Sequence, residues 1–568
     1  AIQLLKNNEF DAAIRMANKI LQNSPLDSSA RLILAMAYLG KGEEKKARSQ
    51  AERAKKVDAA FSAVIYDSMG KYYSLKKRYY KALIYFQKSL AIKDDPSVVR
   101  SMASVYLVQG RLKKARTAYQ KILDSQPVYL PLSRIFLMEK DFPNAILYAQ
   151  KAIQEDPKAL NAYLILGTSH LLTGNLDLSE KNFLLIKKIN PKFFLASYYL
   201  GIINLIQNKY IDSLQHFNNV LLIAPGIKEA RLYSIVIRHL MGDYEKAETE
   251  ALKTIALDTS DSLSHLVLGN IFLSKKDFEG ANQSYQSAGG LIPDFELSNF
   301  KTSNYFRHNI LSTPAYFSLA GIFFREGLYN EVIKAISATE KDAFSENPFF
   351  MLLKARAYAR LGQFDEAQRL YNFVVKKNPE IVGSYVDLGD LAVFKGDIKK
   401  AIEFYKEAIK HAPSLAKLHL SLGDLYNTSD NSKKAIIEYQ RVVSLAPNWV
   451  PGYNQLAWTL AEKKNRYQEA IPYALKGIAL DPGHVDMIDT LAFIYMRLGK
   501  YSEAGDLYSK INPMKINNPS IYYHMGLAYK KADKYKKAIE FFERALNISD
   551  EFTEAAETKL MLIEMTDL

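Results

Sequence analysis

One spacing constrains this chain more than any other feature: proline recurs at a period of 34 residues. Pro157, Pro191, Pro225, Pro293, Pro379, Pro413, Pro447 and Pro482 stand 34, 34, 68, 86, 34, 34 and 35 residues apart. The 68 is two periods, and the 86 is two periods plus 18. Such a period reads as one helical hairpin per unit, each unable to bury its apolar side alone, so that neighbours stack. A chain of 568 residues can then lengthen without building several separate cores.

Residues 382–413, VGSYVDLGDLAVFKGDIKKAIEFYKEAIKHAP, show one unit. Tyr385, Leu388 and Ala392 recur at helical spacing and form the core stripe of a first helix. Gly389 removes a side chain so that a partner helix can come close, and Gly396 ends the helix in the left-handed region. Ala401, Tyr405 and Ala408 line the inward face of a second helix, and Pro413 turns the chain into the next unit. The packing glycine recurs as Gly70, Gly167, Gly201, Gly269, Gly423 and Gly526. The small residue of the second helix recurs at ten further positions, among them Ala82, Ala247, Ala435 and Ala538, often with an aromatic three residues before it.

These residues resemble the tetratricopeptide repeat (TPR) superfamily over nearly the whole chain. The resemblance implies an all-α, right-handed superhelical solenoid of about 15–16 helical hairpins. It places an N-terminal array at 1–293, an inserted connecting segment at 294–312, a C-terminal array at 313–550 and a capping helix at 551–568. The unit at 128–157 has a short first helix, since Pro127 and Pro157 are only 30 apart. The loose Leu/Tyr/Ile-rich repeats are also similar to bacterial TPR proteins and lipoproteins of exopolysaccharide and PEP-CTERM export systems. Both resemblances imply a protein-binding scaffold for assembly of a larger complex, and the second relates that complex to the bacterial envelope or secretion.

Catalysis is not expected. Cysteine is absent, which excludes disulfides, Cys-ligated zinc and thiol chemistry. The nine histidines are scattered, with no HExxH motif, no Walker phosphate loop and no GxSxG elbow. Neither a metal nor a cofactor is expected. The carboxylate clamp of heat-shock co-chaperones is not expected either: its matching positions read Asn161, Ile165, Tyr199, Glu229 and Tyr233 in one window, and Lys417, Ser421, Gln455, Asp486 and Thr490 in another.

Three surfaces are candidates for partners. In the TPR family the first helices line a concave groove. Mapped onto that pattern, Leu164, Leu195, Tyr198, Ile202, Leu232, Val236, Leu263, Leu266, Phe317, Phe324, Phe349 and Leu352 form an apolar lining. It suits an amphipathic helix or an extended segment of a partner protein, unless coiling of the array buries these side chains among neighbouring repeats. Further along, the same positions read Asp390, Asp424, Asn427, Asn454, Trp458, Asp486 and Asp489, an acidic lining suited to a basic segment or an ordinary solvated face. The insertion 294–312 mixes Phe295, Phe300, Tyr305 and Phe306 with Lys301, Arg307 and His308; it reads as a docking element, a plug or a splice between two halves.

The third surface is basic. The net charge is +14, and residues 41–121 hold 20 Lys and Arg against 7 Asp and Glu. Lys45, Lys46, Lys76, Lys77, Arg78, Lys113, Lys114 and Arg116 face outward in the family's geometry. They read as a solubilising face, or as a site for an anionic membrane surface, a polymer or an acidic partner; nucleic acid is not expected. A regulatory arm of an enzyme located elsewhere is a further alternative. No apolar run long enough to span a membrane is present. The chain starts AIQLLKNNEF, already close to a second helix, so residues upstream are expected, with room for a signal peptide or lipid anchor. That favours a periplasmic or membrane-associated setting over a cytoplasmic one.

Overall fold

The computed structural model describes residues 2–288, 313–337, 348–512 and 516–566. Among them are 33 helices and no strand. The helices pair as hairpins, and Ala555–Thr566 closes the series against Tyr535–Ile548, where a capping helix was expected. The inserted segment at 294–312 lies outside the described residues.

Each hairpin turns through one residue in the left-handed region. Gly174, Asn208, Gly242 and Lys276 follow one another at 34-residue steps, with φ of 81°, 61°, 81° and 65°. Among the described residues, eight glycines and eight other residues fill this position. Glycine adopts it without strain, whereas a lysine there costs about 1 kcal/mol that the packing of the hairpin offsets.

In seven of the described hairpins the two helices lock through one glycine and one ring sixteen residues later. Gly167 receives Phe183, Gly201 receives Phe217, Gly389 receives Tyr405 and Gly423 receives Tyr439. A Cβ at Gly201 would stand 2.9 Å from the Phe217 ring, and one at Gly423 would stand 2.5 Å from Tyr439. Twelve residues after the glycine comes the small residue. It is alanine in most units, but Ser179 and Ser213 in two, where the hydroxyl donates to the carbonyls of Gly167 and Gly201 at 2.8 and 2.6 Å. The turn between hairpins is pinned by a donor six residues on. Arg231 donates to the carbonyl of Pro225 at 2.7 Å, Tyr453 to that of Pro447 at 3.0 Å, and His419 Nε2 lies 3.1 Å from that of Pro413.

The chain forms two compact units, which divide differently from the expected boundary near 294–312. Lys158–Lys464 is one unit, and Ala1–Pro157 together with Asn465–Leu568 is the other. In Lys158–Lys464 one large apolar cluster runs from Leu171 to Ala357, and a second gathers Leu352, Ala355, Ala367, Tyr371, Leu388 and Leu391. The Thr313–Arg325 helix packs on both Lys228–Leu240 and Ser262–Ser274, two earlier first helices. Tyr233, wholly buried, stacks on Phe217 with ring centroids 4.7 Å apart. Burying a side chain of this size contributes about 1.5–3 kcal/mol.

In the other unit, the two ends of the chain meet. The Tyr79–Leu90 helix packs on Tyr535–Ile548. The amide of Tyr80 donates to the side chain of Asn547 at 2.8 Å, and the Gln109 amide donates to the Asn547 carbonyl at 2.8 Å. Arg78 and Lys81 both pair with the buried Glu543, and Lys114 with Asp550 and Glu551 at 3.2 and 2.7 Å.

Candidate functional site

First-helix positions one period apart form columns on the stacked hairpins. The apolar column divides in two. Tyr198, Ile202, Leu232, Val236, Leu263, Leu266, Phe317 and Leu352 are buried. The exposed lining expected from the sequence therefore does not extend to these eight. All but Leu352 belong to the interior cluster, covered where the Thr313–Arg325 helix crosses two earlier first helices. Leu164, Leu195, Phe324 and Phe349 remain half-buried.

The acidic column is only partly surface, and much of it serves the fold. Where the ring that packs on the glycine is a tyrosine, its hydroxyl needs an acceptor. Tyr405 donates to Asp390 at 2.6 Å, Tyr439 to Asp424 at 2.7 Å, and Tyr285 to Asn270 at 2.5 Å, each fifteen residues earlier. Where the ring is Phe183, Phe217 or Phe542, the matching position holds Thr168, Ile202 or Leu527. Burial pushes the Asp424 carboxyl above its usual range, against the opposing pull of the Tyr439 hydroxyl. Gln455 also donates to Asp424 at 3.3 Å.

Asp390, Asp424 and Trp458 stand 34 residues apart, on the helices Val382–Phe394, Ala416–Thr428 and Val450–Lys464. Asp390 is exposed and Trp458 half-buried; Asn427, on the Ala416–Thr428 helix, and Asn454, four residues before Trp458, are half-buried as well. Asp486 and Asp489 belong to the other unit. Asp486 is exposed; Asp489 is buried and accepts from Tyr508 at 2.7 Å, with His524 Nδ1 3.0 Å away.

The basic residues also divide. Arg78 and Lys114 hold the C-terminal segment, and Arg116 pairs with Glu139 at 2.7 Å. Lys45, Lys46, Lys76, Lys77 and Lys113 are exposed, with Lys46 paired to Glu43. The repeat pattern alone places all eight on one outward face. The signal that separates them is the run of acids at Glu543, Asp550 and Glu551, more than four hundred residues away.

Among the described residues no group of His and carboxylates is placed to hold a metal ion. None of the described helices is long and apolar enough to cross a membrane. The arrangement is that of a helical-hairpin repeat protein with columns of side chains on successive first helices.

Three tetratricopeptide repeat models match the sequence: one over residues 1–62, 100–159, 352–416 and 386–448, one over 450–484 and one over 519–552. Together they span just over half of the chain, which belongs to the tetratricopeptide repeat family. TPR repeat-containing protein MJ1428 of Methanocaldococcus jannaschii is 22% identical over 443 residues, 71% of this chain and 67% of that protein. Human protein O-mannosyl-transferase TMTC1 is 26% identical over 208 residues, 35% of this chain; the chain spans only 23% of that relative's length. Among solved structures, yeast Tom70 is 14% identical over 89% of this chain and 100% of that one, with a TM-score of 0.31.

Proposed function

We propose that this chain is a non-catalytic scaffold that holds a segment of a partner protein along the first-helix face of its repeats. The observation that carries this reading is the column Asp390, Asp424 and Trp458, repeated at the period of the fold. A stack of hairpins fixes the spacing of such a column before binding, so the partner alone loses conformational freedom. A basic segment suits it. Asp390 has a second carboxylate oxygen beyond the one that Tyr405 uses, and Trp458 adds a half-buried ring to the same column.

The half-buried Leu164, Leu195, Phe324 and Phe349 are a second place on the same unit for apolar anchors. Assembly of an envelope or secretion complex is the setting that the repeat style suggests, and fractionation of native cells tests it.

Site-specific photo-cross-linking tests the surface itself. A cross-linker at Trp458 is expected to capture a stoichiometric partner, and one at the exposed second-helix residue Glu403 is not. Equal capture at both positions, or binding unchanged by Trp458→Ala with Asp390→Asn, would overturn the reading.

A further inference from the structure

In the unit that joins the two chain ends, the turn after Ala59–Leu75 and the Tyr535–Ile548 helix line a cleft of about 790 Å³. That is within the size range of sites that bind small molecules or short segments. Its wall carries Lys76, Lys77, Arg78, Lys81, Lys536 and Arg544 against only two carboxylates, Glu540 and Glu543. Both carboxylates are already engaged: Glu543 by Arg78 and Lys81, and Glu540 by Arg544 at 2.7 Å. Among the described residues no carboxylate pairs with Lys76, Lys77 or Lys536, and all three are exposed. The rest of the lining includes the half-buried aliphatic side chains of Ile539 and Ile548.

We propose that this cleft binds an acidic, partly apolar segment of a partner protein. Its carboxylates would meet Lys76, Lys77 and Lys536, and an apolar side chain would lie on Ile539 and Ile548. The inference takes the class of ligand from the scaffold reading, but it rests on a different unit and different residues. Concave convergence of cations favours a segment that enters over a flat membrane surface. An aliphatic lining favours a peptide over nucleic acid, because Tyr522, the aromatic ring in the cleft wall, is buried and offers no face for a base. Because residues from both chain ends line the cleft, a ligand that fits it also stabilises their contact.

The test uses the full chain and a fluorescent peptide of alternating Glu and Leu. Binding is expected, weakening steeply as salt rises from about 0.05 M to about 0.5 M. Lys77→Glu with Lys536→Glu is expected to weaken it about tenfold or more. Lys181→Glu with Lys406→Glu, exposed positions on the other unit with the same change in net charge, is expected to leave it unchanged. Trp458→Ala is also expected to bind the peptide normally, which separates this outcome from that of the first-helix surface. Equal loss in both double variants, no loss in Lys77→Glu with Lys536→Glu, or equal binding of a Lys-for-Glu peptide would each overturn the proposal. So would binding of phosphatidylserine vesicles or a single-stranded oligonucleotide through Lys77 and Lys536 without binding of the acidic peptide.

Discussion

Arg111 and Asp550, 439 positions apart in the chain, face each other at 3.0 Å within one compact unit. Their side chains are only 8% and 19% exposed, so the pair is shielded from salt more than a surface bridge is. Removing Arg111 leaves Asp550 with Lys114 as its remaining cation, so the cost is expected to be smaller than the roughly 3–5 kcal/mol of stranding a buried charge. Arg111→Ala is therefore expected to lower the stability of this unit and to speed hydrogen exchange in the Tyr535–Ile548 helix. Exchange there that matches the wild type would mean that the two chain ends are held by other contacts alone.

Tyr439 and Asp424 give a cleaner energetic test. The tyrosine is wholly buried, and its hydroxyl has the Asp424 carboxylate as acceptor. Asp424→Leu would strand that hydroxyl, at about 1–3 kcal/mol, whereas Tyr439→Phe alone is expected to cost about 1 kcal/mol. The double variant reproduces the Phe542 and Leu527 pair found elsewhere in the chain, and it is expected to recover most of the loss. A double-mutant cycle by denaturant unfolding measures this. Strict additivity of the two substitutions would show that hydroxyl and carboxylate are not coupled.

That pair also marks the limit of what the sequence discloses. The period, the packing glycine and the left-handed turn are local, and the structure has them where the spacing puts them. Ser179 and Ser213 are harder to see, because a serine is small enough for the alanine position only once its hydroxyl finds the glycine carbonyl twelve residues back. Asp390 and Asp424 look like groove lining because their tyrosines sit on the next helix along and read only as core. Burial of Leu232 and Leu263 depends on a helix that begins at Thr313, and no repeat pattern specifies that crossing. The contact of Arg78 with Glu543 lies outside any period.

Gly423 and Gly396 are both glycines of the repeat, but they should fail for different reasons. At Gly423 an added Cβ meets the Tyr439 ring at 2.5 Å, and overpacking of this kind costs about 1–3 kcal/mol. At Gly396 nothing lies within 4 Å, but φ is +78°, so Gly396→Ala suffers only backbone strain of about 1 kcal/mol. Chemical denaturation of the two alanine variants is expected to rank Gly423→Ala as the more destabilised. The reverse order would mean that the ring yields easily and the turn does not.

Two histidines should give stability profiles of opposite sign. His239 is buried against Ser274, 2.8 Å from Nε2, with the Tyr244 ring beside it, and burial pulls its pKa down to about 4. The unfolded chain then takes up the proton first, so stability present above about pH 6.5 is lost as pH falls toward about 4. His524 is half-buried, and that desolvation by itself lowers its pKa. The Asp489 carboxylate, with a smaller contribution from Glu554, outweighs that burial and an opposing Arg497, so the net shift is upward. Tyr508 donates to the same Asp489 carboxylate and helps to fix it. Stability from the charged His524 is therefore complete below the unfolded value of 6.5 and is lost as pH rises through the raised folded value. Unfolding measured across this range is expected to show His239→Gln resisting acid better than the wild type. His524→Gln should show its largest deficit on the acid side, shrinking as the wild-type histidine deprotonates. A deficit in His524→Gln that does not change with pH would place its role in packing and not in charge.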